Sequence, residues 1–587
     1  MATTVMRNYR GFRGVDLRGE EVDLTRSPDS LNMWKDYKRS ESIRTRPMGK
    51  RLQLGYSVDI PGVDFDTPNE NETGVGQKIH SLSFFQGKIF IHRGTDILIY
   101  DPVTNGVGHI LDGSSFHHYV NDETSQTFVY NGIWYFKQNG HFMYSNGGYA
   151  RDVIGYVPTT SIGRKPSGGG TIHEDVNMLT KSRINTFVGD GESKEYHLDA
   201  QNIEYNVPAV DMFVKVNGET WARSKYTVDM EKGIVTFTEA PPKPATDGQD
   251  NVSIEFKAGS DQKHKILGCA LAQVFDNRVF FSGNPEYPNM IWHSSLDDPT
   301  YVSDLDYYQE GRDDAPVRGM VAGNNALWVF REPSEEQTTV FYHVPTIDAD
   351  YGKIYPATHS SISTGCVGKA INFNDDIVFF SERGMEGING DITTEQVIGH
   401  RSSLVDRKLI AEAEYQNMVL AEWEGYLLVF IGTKVYLADS RAVFTNENHY
   451  EYEWFYWELG FPVTCAVVHD GILYIGSAGG NVYTLVDYGD CESYWVTAKD
   501  KFGNPNKLKT TNKRGCVAEA TGDISVYAKV EDTDFEPIGE YKNVTDYFVS
   551  RIKRKKWKDI QLKFHSKTRF SLESVTLEAF VGGYIKR

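Results

Sequence analysis

The stretch SLSFFQGKIFIHRGTDILIYD, residues 81–101, sets two apolar strand-forming runs on either side of Gln86-Gly87 and adds a third after a second polar break. A two-residue hairpin turn needs positive φ at both central positions to follow the twist of its strands, and Gly, Asn and Asp supply it most readily. Six further stretches follow the same grammar: TFVYNGIWYFKQNGHFMYS (127–145), LAQVFDNRVFFSGNPEYPNMIWHS (271–294), GMVAGNNALWVFREPSEEQTTVFY (319–342), KAINFNDDIVFFSERGMEGIN (369–389), VLAEWEGYLLVFIGTKVYLAD (419–439) and CAVVHDGILYIGSAGGNVYTL (465–485). Their turn pairs are Asn131-Gly132, Asp276-Asn277, Asn324-Asn325, Asp375-Asp376, Glu424-Gly425 and Asp470-Gly471. Successive turns lie 45, 145, 48, 51, 49 and 46 residues apart. A period of about 45–50 residues with three or four strands per unit is that of a propeller blade. The chain is therefore expected to be all-β: a β-propeller of about seven or eight blades, carried by residues 56–165 and 261–490.

The long step is one blade plus an insertion. After SIGRKPSGGGT (161–171), read as a flexible connection, short alternating strands and Asp-Gly, Asn-Gly and Lys-Gly turns predict a small β-sandwich at about 178–258, in an inserted domain over 172–260. Beyond residue 490 the blade grammar stops, and 491–587 reads as a C-terminal β-region, either a closing blade or a separate sheet. Residues 1–55 show little periodicity and read as an extended N-terminal arm. The segment 404–416 is the one fair helix candidate.

Tyr (34), Phe (31) and Gly (54) are abundant, as strands and turns require. The formal charge of −19 repels nucleic acid and argues against a general DNA binder. Five cysteines without a CxxC pair predict neither a disulfide framework nor a zinc site, and Cys269, Cys366 and Cys465 sit in apolar runs as small core residues. The N-terminal stretch has no signal-like apolar segment and no run approaches a membrane span, so synthesis in a host cytoplasm and no membrane insertion are expected. No GxSxG, HExxH, P-loop, dinucleotide fingerprint or Asp-box is present, so the chain is read as not an enzyme, with no catalytic, cofactor or metal residues. His117-His118 is read as a surface or turn pair, and Asp304, Asp306 and Asp313-Asp314 as a solvated loop without calcium-loop spacing.

Two basic regions interrupt the acidic whole. Residues 1–51 carry 12 Arg or Lys against 7 Asp or Glu, and 551–567 carry 8 against 1. Candidate partner-binding residues are Trp34, Arg44 and Arg46 in the first, and Lys553, Arg554, Lys555, Lys556, Trp557 and Lys558 in the second. The second set can meet phosphates or the acidic face of a neighbouring subunit. An arm with a net charge of +5 and little apolar content predicts that a chain lacking residues 1–40 folds but fails to assemble.

The entry segment SPDSLNMWKDYKRSESIRTRPMGKRL (27–52), with Asn32-Met33 followed by Arg44-Thr45-Arg46-Pro47, resembles that of tail proteins from short-tailed bacteriophages. Residues 275–342, STGCVGKAINFNDDIVFFSERG (363–384) and the ending KKWKDIQLKFHSKTRFSLESVTLEAF are similar to the packaged-DNA stabilisation proteins, which form the tail hub under the portal. The resemblance implies a virion tail protein forming a ring, a hexamer, that docks on portal and adaptor proteins. It also implies retention of packaged DNA, a conduit for its ejection with only transient, non-specific DNA contact, and a platform for tail fibres or a needle. An acidic wall along that conduit would keep phosphates off it. The competing readings are an intracellular propeller scaffold, against which the lack of any Trp-Asp dipeptide counts, and a propeller that binds or cleaves glycans.

Overall fold

The computed structural model describes residues 3–584 except 20–21, 40–42, 53, 55–77, 112–118, 208–210, 336–337, 350–351, 390–396, 447–448 and 553–555. The chain is all-β and of the propeller class. Among the described residues, helix is confined to single turns such as Lys263–Leu267 and Asp406–Leu409, so the expected helix over 404–416 shrinks to its first turn.

Each of the seven repeated segments forms a four-stranded antiparallel meander. The first runs Ile79–Phe85, Lys88–Arg93, Asp96–Asp101 and Gly106–His109, and the second starts at Gln126–Tyr130. The third, fourth, fifth and sixth start at Leu271–Phe275, Val317–Gly323, Ala370–Phe373 and Val419–Trp423. The seventh takes Val463–His469, Ile472–Ser477 and Val482–Val486 from its own repeat, and its fourth strand, Met48–Arg51, from the N-terminal region. In every meander a two-residue turn with both φ values positive joins the first two strands, for example Asn131 (+48°) and Gly132 (+73°), or Asp470 (+50°) and Gly471 (+75°). In the fifth the turn is Asn374-Asp375, one residue earlier than the sequence reading placed it. Asp376 instead opens the second strand, and its carboxylate is committed to the buried Arg401 at 2.9 Å.

The second strands are buried almost throughout (IVFF in 376–381, YLLVFI in 426–431), as the interior strand of a stacked sheet must be. The first strands are half-buried and pack on one another in sequence. Val419–Trp423 meets Val463–His469, which meets Ile79–Phe85; in the other unit, Gln126–Tyr130 meets Leu271–Phe275, which meets Val317–Gly323. Across all seven first strands the formally charged residues are Arg318 and Glu422. The acidic surplus is therefore not carried by the first strands.

Two compact units divide the chain: residues 1–110, 117–124 and 364–587 in one, 111–116 and 125–363 in the other. The second unit holds meanders two to four and the insertion. In the insertion a seven-stranded sheet faces a three-stranded one, Glu195–His197, Tyr226–Asp229 and Ile234–Phe237, across a core that includes Phe187, Tyr196, Val214, Phe237 and Phe256. The sandwich starts earlier than the sequence reading had it. Thr159–Arg164 is a strand paired in parallel with Ser182–Phe187, so SIGR is ordered sheet and not a loose connection. Met178 and Leu179, conversely, are buried in the third meander's cluster with Val302.

The first unit overturns the reading of residues 1–55 as an extended arm. Thr3–Tyr9 pairs in register with residues 575–581 of the long final strand Phe570–Tyr584. Ser30–Leu31 pairs with Ser493–Val496, Met33–Lys35 with the sixth meander, and Ile43–Thr45 with Phe570–Tyr584. Tyr9, Phe12, Met33 and Trp34 lie in one hydrophobic cluster with Trp457, Trp495 and Trp557. The arm reading failed because these strands are short and pair with residues hundreds of positions away, which leaves no local periodicity to detect. The C-terminal region adds Ser493–Val496, Lys507–Val530, Glu536–Val544, Tyr547–Ser550, Ile560–Ser566 and Phe570–Tyr584. It is a sheet shared with the N-terminal strands, not a further blade.

Deleting residues 1–40 should therefore do more than block assembly. It removes Tyr9, Phe12, Met33 and Trp34 from the core, at about 2–5 kcal/mol for each large side chain. The truncated chain is expected to be insoluble or to lose its cooperative melting transition in calorimetry, and a transition unchanged from the full chain would contradict the strand assignments.

Candidate partner-binding site

The candidate residues of the N-terminal region turn inward, with one exception. Asn32 adopts a left-handed backbone (φ +56°), which asparagine tolerates better than other non-glycine residues. Its side-chain oxygen accepts from Arg46 Nε at 2.9 Å and from the backbone N–H of Glu458 at 2.8 Å, while its amide donates to Glu492 O at 2.9 Å. Arg46, 2% exposed, spends its remaining donors on Pro47 O and Glu458 O, both at 2.9 Å. Trp34 stacks on Trp423 (5.6 Å, 20°) and meets Trp457 edge-on. Both were expected at a partner surface, and both are structural. A buried guanidinium needs several acceptors, and the carbonyl oxygens here supply them.

Arg44 is the exception. Register places it opposite Ser571, and its guanidinium reaches Asp487 at 3.2 Å, just beyond the end of the seventh meander. Arg39 and Arg569 bind the same carboxylate. Asp36 lies 3.5 Å from Arg39 and 3.6 Å from Arg44. A cavity of about 290 Å³ opens beside these groups, lined by Arg39, Arg44, Arg569, Phe570, Glu573 and the hydroxyl pair Thr521 and Ser571. Burial pushes the Arg569 guanidinium below its ordinary range; Asp487 opposes this, and Arg44 and Arg39 add to it. Sequence reasoning missed Arg39, Asp487 and Arg569, because no spacing rule links positions 39, 487 and 569.

In the second basic region, Lys553, Arg554 and Lys555 lie outside the described residues. Trp557 is fully buried and was wrongly read as a partner contact. Its backbone bridges to Lys509 in both directions (2.8 and 3.1 Å), and its ring meets Phe502 at 5.4 Å. The Lys509 ammonium is also internal, donating to Lys558 O at 2.7 Å, and burial lowers its pKa. Lys556 and Lys558 are exposed, and neither lines the arginine cavity.

Other ionisable clusters are built into the sheets. His400 Nε2 meets Asp406 at 2.5 Å and Nδ1 meets Glu386 at 3.2 Å. Burial opposes its charge, but the two carboxylates outweigh it and hold the imidazole at about 10, so it is a standing cation and a poor general base at neutral pH. Glu310 and His343, both fully buried, face each other at 2.9 Å. His343 Nδ1 donates to Tyr355 O (2.7 Å), because a carbonyl only accepts. Asp306 is half-buried and not solvated as expected, and burial raises it to about 6, with Arg278 opposing and Asp175 adding. His117-His118 lies outside the described residues. Among the described residues, no three or more His, Cys, Asp or Glu side chains are grouped to hold a metal. Burial raises the thiols of Cys269, Cys465 and Cys516 to about 12, which keeps them protonated.

No family model matches the chain, and no curated protein does. Among solved structures, the computationally designed Ika8 protein is similar over 70% of this chain and 97% of its own, at 11% identity and a TM-score of 0.30. BamB from Moraxella catarrhalis covers 71% and 99%, at 9% identity and a TM-score of 0.32. The Neurospora crassa Pan2 WD40 domain covers 70% and 88%, at 7% identity and a TM-score of 0.24. The fold assignment rests on the seven meanders and not on these distant likenesses.

Two outcomes are expected. Arg46→Ala should cost on the order of 3 kcal/mol, since it takes the guanidinium donor from the buried Pro47 and Glu458 carbonyls and leaves a void, whereas Lys556→Ala and Lys558→Ala should stay within about 0.5 kcal/mol in denaturant melts. The folded pKa of His400 lies above its unfolded value near 6.5, so its stabilisation is full below that pH and fades as pH rises towards 10. The melting temperature of His400→Gln should fall furthest below wild type near pH 6 and converge with it near pH 10; a gap independent of pH would contradict the ion-pair geometry.

Proposed function

We propose that this chain is a structural subunit of a tailed-bacteriophage virion, a tail-hub or nozzle protein of the packaged-DNA stabilisation type. The observation that carries the reading is what the phage-like entry motif does in the fold. Asn32-Met33 and Arg44-Thr45-Arg46-Pro47 are not an isolated string. All but Arg44 are buried, and together they lock the N-terminal strands to the sixth and seventh meanders and to the C-terminal sheet. A motif that sets the geometry of the whole first unit can persist in a structural family without any catalytic role.

On this reading the subunits form a ring, a hexamer, below the portal–adaptor complex. The ring retains the packaged genome, gives a conduit for its ejection, and bears fibres or a needle. Assembly takes place in the host cytoplasm, and the finished protein resides in the virion tail.

Negative-stain imaging of the purified protein, alone and mixed with portal and adaptor proteins of a short-tailed phage, tests the proposal. Rings that stack on the portal–adaptor complex are expected. Monomers that fail to join it at any protein concentration would overturn the reading.

A further inference from the structure

We propose that the cavity framed by Arg39, Arg44 and Arg569 receives a carboxylate from a second copy of this chain, an occupant that rests on the ring-forming role proposed above. Three guanidinium groups converge on the single carboxylate of Asp487, with Asp36 as the second anion at the convergence. Glu573 lines the cavity wall. Burial, with Arg44 and Arg39 adding to it, lowers the Arg569 pKa.

A hydroxyl pair in the same lining supplies a neutral donor. Thr521 Oγ1 and Ser571 Oγ lie 2.8 Å apart, so one hydroxyl donates to the other and the second keeps its hydrogen for a ligand. Guanidinium forks with an added hydroxyl are the donor set that an oxyanion takes up. The cavity, about 290 Å³, has room for an acidic side-chain head. The chain supplies that head in excess: it has 80 acidic residues against 61 basic ones. Two copies at −19 each repel at long range, so a ring needs local sites where opposite charges meet at close quarters. Arg39, with 56% of its side chain exposed, is the member placed to reach outward.

The test is sedimentation velocity of the full chain over a range of protein and salt concentrations, for wild type, Arg39→Glu and Thr521→Val. Both variants alter the rim and should melt like wild type. Self-association is expected to weaken on the order of tenfold or more in Arg39→Glu, to weaken less in Thr521→Val, and to fall with rising salt in wild type. Wild-type rings that Arg39→Glu forms equally well would overturn this inference while leaving the ring-forming reading intact; a wild type that never associates would overturn both. Inorganic phosphate at constant ionic strength is the second probe. If it raises the melting temperature of wild type but not of Arg39→Glu, and leaves the rings unaffected, the occupant is a free anion and the second-copy assignment fails.

Discussion

The buried contact between Asn32 and Arg46 is the constraint on which the first unit depends. One asparagine in a left-handed conformation and one arginine with no access to water satisfy each other, and both reach the backbone around Glu458. Around that contact, some twenty residues make four strand pairings: to Ser493–Val496, to the sixth meander, to Phe570–Tyr584, and to Val482–Val486. None of these short strands is stable alone, since strands of two to four residues gain little from their own hydrogen bonds. Holding Asn32 against Arg46 lets all four pair at once.

The same economy governs the buried charges. Glu453, fully buried, accepts two hydrogen bonds from Arg26 at 2.7 and 2.9 Å and a further contact from Arg13 at 2.7 Å. Asp376 holds Arg401, and Tyr452 donates to the same carboxylate at 2.8 Å. The first joins segments distant in sequence and the second closes the fifth meander; the buried charges are desolvated but hydrogen-bonded, the arrangement in which breaking one partner costs more than the pair contributes. These contacts set register and connectivity, while the second strands of the meanders supply the apolar burial.

The meanders were legible in the sequence because their signal is local. Gln86-Gly87 or Asp470-Gly471 flanked by apolar runs specifies a tight turn whatever the rest of the chain does, and each such turn has positive φ at both positions. The one slip, at Asp375, arose in a run of three turn-forming residues, Asn374 to Asp376, where chemistry alone does not choose the register. The candidate site was hardly legible. Trp34 and Arg46 looked like an outward-facing anchor and cation because polar, aperiodic sequence resembles an arm, yet the long-range pairings draw both inside. Arg44 was found, but its companions Arg39, Asp487 and Arg569 come from three distant segments that only the folded sheet brings together.

The seventh meander's closing strand has a consequence for synthesis. Met48 pairs with Val486, so a strand made at the beginning waits for a partner made near the end. At synthesis rates of about 5–20 residues per second, that interval is roughly 20 seconds to a minute and a half. Throughout it, Met33, Trp34 and Ile43 are on the ribosome without the core that will cover them. The nascent chain then carries an exposed aromatic segment and unpaired strand edges, which aggregate readily. Yield in cells should therefore be governed more by how quickly the chain's two ends meet, and by what shields the first fifty residues meanwhile, than by the stability of the finished protein.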